Sequence, residues 1–105
     1  MKITITARNM EVPPLAQQML RSKADRLDRF GKITSVHAIF GKEKYLFTAE
    51  LTLSAKGIRV VSRAKHKTDL LTCIEEAVTK LETQLDRHDH KLKDEARRRT
   101  VHRPA

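Results

Sequence analysis

The stretch from Thr68 to about Lys93 constrains the chain most, because it is the longest unbroken periodic segment and carries three chemically distinct faces on one helix. Leu70, Ile74, Ala77, Val78, Leu81, Leu85, His88 and Leu92 fall at the i, i+4, i+7, i+8 spacing of a single helical face, the side a core would cover. Lys80, Gln84, Arg87 and Lys91 form a second stripe beside it, and Glu75, Glu82, Asp86 and Asp89 a third on the other flank. The helix is sorted by sign. A helix built only for solubility interleaves signs and collects i,i+4 ion pairs, each contributing about 0.2 to 0.5 kcal/mol. Here Arg87 and Lys91 are like charges at that spacing, and so are Glu82 and Asp86, although Glu76 with Lys80 and Asp89 with Lys93 remain complementary. The plain reading is a solvated face. The sharper one is that the Lys80, Arg87, Lys91 stripe, continued by Arg97, Arg98, Arg99 and Arg103, meets something polyanionic.

Charge on the whole chain agrees with the sharper reading. At 105 residues the length suits one domain with one core. A formal net charge of +9 and a pI near 10.1 are large for that size and point first to RNA or DNA, then to an anionic membrane, then to an acidic protein. Hydrophobic content of 39% argues against a wholly disordered basic protein. Met1 to Met10 has only Ile3 and Ile5 alternating with polar residues, which is no export signal, and no apolar run approaches the ~20 residues that span a bilayer. With a single cysteine, Cys73, the expectation is a cytoplasmic protein in which that thiol is a small buried hydrophobe.

Lys2 to Ala7 alternates with period two, as a half-buried strand does. Pro13-Pro14 suits a first helical turn, and the helix should run to about Phe30 and leave through Gly31. Its apolar arc is Leu15, Ala16, Met19, Leu20, Ala24, Leu27 and Phe30, with Lys23 near the middle, either laying its stem across the core edge or marking where solvent begins. Ile33 to Lys42, Leu46 to Ser54 and Gly57 to His66 read as strands joined by Lys42-Glu43-Lys44 and Ala55-Lys56-Gly57. Phe47, Ala49, Leu51 and Leu53 should face the core, as should Ile58, Val60 and Ala64, leaving Arg59, Val61, Arg63 and Lys65 outside; Val36, Ala38 and Phe40 compete with His37 and Ile39. The class is α+β in the order β-α-β-β-β-α: a four-stranded sheet with both helices on one face and a right-handed first crossover. Residues 1–93 form the domain, and 94–105 a basic tail expected to be disordered.

These strings resemble the ribosome hibernation-promoting factor family, in its short form, over roughly Met1 to Lys93. The carriers are Ile3-Thr4-Ile5-Thr6 with Asn9 and Glu11-Val12; Lys23, Leu27 and Phe30; Val60 and Ala64; and above all Asp69, Ile74, Lys80-Leu81, Gln84-Leu85 and Arg87-His88-x-x-Lys91-Leu92-Lys93. Leu71 stands where the family commonly has an aromatic and Glu75 where it usually has a second aspartate. Nothing after Lys93 resembles the second domain through which long forms pair ribosomes. The resemblance implies a fold similar to a double-stranded RNA-binding domain with an added first strand. It also implies a site on the small ribosomal subunit, against 16S rRNA, where messenger and transfer RNA would otherwise lie. A structured RNA offers phosphates and 2′-hydroxyls in fixed positions that a rigid basic surface can match without reading bases.

No nucleophile, base or metal set converges in the sequence, so an enzyme, a cofactor and a small-molecule substrate are not expected. His88 and His90 are two apart on a helix and face different ways, His37 and His66 lack partners at ligand spacing, and Asp69 suits a helix cap. The leading expectation is a hibernation factor of stressed, stationary-phase cells, a monomer when free, that occupies the decoding channel and blocks translation. Its candidate rRNA-binding residues are Lys80, Arg87 and Lys91, with Lys23, Arg59, Arg63, Lys65 and Lys93 as further contacts. The alternative is a regulatory module of sigma-modulation type that binds an acidic protein; a third reading is a binder of any RNA duplex.

Overall fold

A computed structural model describes residues 1–31 and 33–101, with side chains as far as His88 on the last helix. Strand β1 (Lys2–Arg8) leads into helix α1 (Pro14–Leu27), a single 3₁₀ turn (Asp28–Phe30), strands β2 (Ile33–Glu43), β3 (Leu46–Ala55) and β4 (Ile58–His66), and helix α2 (Leu70–Val101). The strands lie in the order β1-β2-β3-β4, parallel between β1 and β2 and antiparallel thereafter. The expected β-α-β-β-β-α architecture is therefore present. α1 opens with Pro13 at the N-cap and Pro14 inside the first turn, and Gly31 leaves the 3₁₀ turn at φ 73°, a region open to glycine and strained for other residues.

Alternation decides which sheet face is covered. Val36, Ala38 and Phe40 win the core side of β2, with Ala49, Leu51 and Leu53 beside them and Val60 and Ala64 beyond. His37 is left exposed on the other face. Ala16, Leu20 and Leu27 of α1 and Ile74, Ala77, Val78, Leu81 and Leu85 of α2 close over these strands in one hydrophobic cluster. Both helices thus cover the same face, as a one-sided sheet requires. Among the described residues no helix is long and apolar enough to cross a membrane.

Four details differ from the sequence pattern. Leu15 is 61% exposed, because at about 100° per residue it points well away from the arc that Ala16, Leu20, Ala24 and Leu27 bury. For the same reason Lys23 is half-buried at the border of that arc, not in its middle. β2 runs one residue past Lys42, to Glu43, which pairs with Leu46, so the turn is Lys44-Tyr45; an exposed charged residue at a strand end carries no periodic signal. Lastly, α2 passes Lys93 and runs to Val101. The disorder expected of 94–105 falls on residues whose side chains, and for 102–105 whose backbone, lie outside the described residues.

Candidate nucleic-acid interface

The junction between β4 and α2 sets how α2 is rotated about its axis. Asp69 caps the helix: the Leu71 N–H donates to Oδ1 (3.0 Å) and the Thr72 hydroxyl to Oδ2 (2.7 Å). These two hydrogen bonds, the Thr72 one foremost, hold its carboxyl below the ordinary carboxylate range. His66 Nδ1 accepts the Thr68 and Asp69 N–H groups at 3.3 and 3.1 Å. Inside the junction the Ser62 hydroxyl donates to the Ala77 carbonyl (2.8 Å), tying β4 to α2 where side chains are buried.

So oriented, α2 lays its basic stripe along the outer edge of β4. Lys80 Nζ donates to the Arg63 carbonyl at 2.7 Å and Gln84 Nε2 to the Val61 carbonyl at 3.0 Å, occupying acceptors that an edge strand otherwise offers to another chain. Arg87 joins Lys80 and Gln84 along the shallow groove between helix and strand. On the other side of the same strand Arg59, Arg63 and Lys65 rise from the open sheet face, all exposed. One strand edge is therefore flanked by cations on both sides. Glu50 sits 3.4 Å from Arg63 in an exposed pair, an arrangement whose contribution is about 0 to 1 kcal/mol and which leaves the guanidinium free to exchange partners. The acidic flank turns the opposite way, toward the 3₁₀ turn that follows α1, where Glu82 lies 3.7 Å from Arg29.

The structure thus brings together Arg59, Arg63, Lys65, Lys80 and Arg87. Lys23 is not among them, since α1 packs on the acidic flank of α2, across the helix from β4. Lys91 and Lys93 lie on α2 beyond the residues whose side chains are described. Sequence reasoning missed Lys2, Arg8 and His37 as members of this basic surface: parallel pairing of β1 with β2 sets Lys2 beside Ser35 and Arg8 beside Gly41 on the same open face. Alternation in β1 put Lys2 on the polar side, but only the strand order shows what lies next to it.

Reactive side chains are engaged elsewhere. Burial, and secondarily the charge of Glu76, pushes the Cys73 thiol up to about 11, and its Sγ lies 3.2 Å from the Ala64 carbonyl oxygen. His37 Nε2 is 3.0 Å from the Thr6 hydroxyl. Among the described residues no group of three or more His, Cys, Asp or Glu is placed to hold a metal ion.

The sequence matches the family model described as sigma 54 modulation protein / S30EA ribosomal protein over residues 3–93. The chain is 29% identical over 94 residues to the ribosome hibernation promoting factor of Escherichia coli (strain K12), covering 89% of this chain and 98% of that one. Identity is the same, over the same shares, to the protein of that name from Salmonella typhimurium. Its fold is similar to a ribosomal subunit interface protein from Coxiella burnetii, with TM-score 0.78, 22% identity and coverage of 86% of this chain and 99% of that one. It is also similar to the N-terminal domain of Protein Y from Thermus thermophilus, with TM-score 0.74, 24% identity and coverage of 84% and 99%. With the match extending from the first strand to Lys93 of the last helix, the chain belongs to the sigma 54 modulation protein / S30EA ribosomal protein family.

Proposed function

We propose that this protein is a non-catalytic ribosome hibernation factor that binds the small ribosomal subunit through 16S rRNA, in the channel for messenger and transfer RNA. There it blocks translation and preserves idle ribosomes in starved cells. The observation that carries this reading is the pair of cation rows on either side of the β4 edge, Arg59, Arg63 and Lys65 on one and Lys80 and Arg87 on the other. A flat polyanion would meet one row; a cleft walled by RNA meets both. The names of the bacterial relatives support the ribosome as that partner.

Cosedimentation with vacant small subunits tests it. The triple variant Lys80→Ala, Arg87→Ala, Lys91→Ala is expected to lose binding while its helical circular dichroism is unchanged, and undiminished binding refutes the assignment. Ribonuclease treatment decides against the acidic-protein alternative if it releases the chain from its complex. In lysates, sucrose gradients should show the chain moving into ribosomal fractions when cells starve.

A further inference from the structure

The open face of the sheet divides into two halves of different chemistry. Strand register sets out its cross-strand rows: Lys2, Ser35, Ser54 and Arg59 in one, Thr4, His37, Thr52 and Val61 in the next. These two rows line a shallow depression that contains no carboxylate. In the following rows Glu50 enters beside Arg63, and Glu43 lines the depression at that end. The acid-free half ends in a cation on each side, Lys2 on β1 and Arg59 on β4, with four hydroxyls and an imidazole between them.

We infer that this half-face extends the RNA-contacting surface from Arg59 across the sheet to Lys2 and grips the sugar–phosphate backbone of one strand laid over it. It deepens the functional reading above and rests on it. Lys2 and Arg59 stand three strand spacings apart, about 14 Å between backbones, a separation suited to different phosphates along one strand. The hydroxyls of Thr4, Ser35, Thr52 and Ser54, which among the described residues form no intramolecular hydrogen bond, accept from ribose 2′-hydroxyls and donate to phosphate oxygens. Sheets that read bases present aromatic rings on which bases stack. Among these eight positions His37 is the one ring, flanked by hydroxyls and cations, so the surface offers at most one stacking platform and otherwise suits backbone. An acidic peptide would satisfy the two cations and make less of the hydroxyl row between them.

The test is equilibrium binding of the full chain to purified vacant small subunits across a salt series. Lys2→Ala is expected to reduce the slope of log K against log salt by about 0.7 to 0.9, the signature of one lost phosphate contact. His37→Ala with Thr52→Ala should weaken binding about tenfold with the slope unchanged, as lost hydrogen bonds do. Lys2 and His37 are exposed and Thr52 half-buried on the open face, outside the core, and unchanged circular dichroism certifies the fold. A photo-crosslinker on Ser54→Cys should label rRNA. Variants that bind like wild type, or label only on ribosomal proteins, overturn the inference while the functional reading stands. Failure of the wild-type chain to bind overturns both.

Discussion

Asp69 uses both carboxylate oxygens on the first turn of α2, and its lowered pKa turns that cap into a pH-dependent contribution to stability. A group whose folded pKa lies below its unfolded value stabilises fully above the unfolded value, here the ordinary 3.8, and loses that effect as pH falls through the folded one. Asp69→Ala should therefore lower Tm at pH 7, and the gap to wild type should narrow below about pH 4 in a thermal-melt series. Cys73 behaves in the opposite sense. A thiol pushed up to about 11 carries almost no thiolate at neutral pH, so the native chain should resist iodoacetamide at pH 7.5 and react fully in denaturant, as read by mass spectrometry. Both residues could be read from sequence, Asp69 from its place before an apolar run and Cys73 from its place beside the core face. Lys2 and His37 could not, because their significance comes from neighbours on other strands.

At the level of elements, period two and period 3.6 carry most of the information. The three antiparallel strands, α2's core face and the Pro-initiated α1 follow from them directly, and the core they predict around Leu51, Leu53, Ile74 and Leu81 is observed, while the core side of β2, open in the sequence, goes to Val36, Ala38 and Phe40. Phe40 is the largest wholly buried side chain, and Phe40→Ala should cost about 3 to 5 kcal/mol, measured by urea denaturation. Apolar character alone misleads at Leu15, which the helical period itself places off the buried arc, and period two gives no sign of the charged residue that ends β2, Glu43. It also gives no sign of close packing between neighbouring strands. A Cβ added at Gly41 would come 2.9 Å from Thr48 Oγ1, although the backbone there is ordinary for any residue. Gly41→Ala should destabilise by about 1 to 3 kcal/mol, and adding Thr48→Ala should recover part of it; a double-mutant cycle with no coupling would refute the contact.

Over the whole molecule, the basic surface wraps an edge, and its two sides belong to one rigid body. β4 is laddered to β3, and α2 is bound to β4 by the Ser62 to Ala77, Lys80 to Arg63 and Gln84 to Val61 hydrogen bonds. The stripe on α2 and the open face of the sheet therefore cannot adjust independently to a flat partner. Losses from well-separated sites add in free energy to within about 0.3 to 0.5 kcal/mol when both are engaged in one complex. Combining Lys80→Ala and Arg87→Ala with Lys2→Ala should thus multiply the separate losses of affinity for the small subunit. The salt slope should fall by roughly three contacts' worth, about 2.1 to 2.7. If the partner touches only one side of the edge, one set of substitutions will be silent and the combined variant will bind no worse than the other set alone. That outcome would leave a basic protein on a ribosomal surface and remove the case for a cleft.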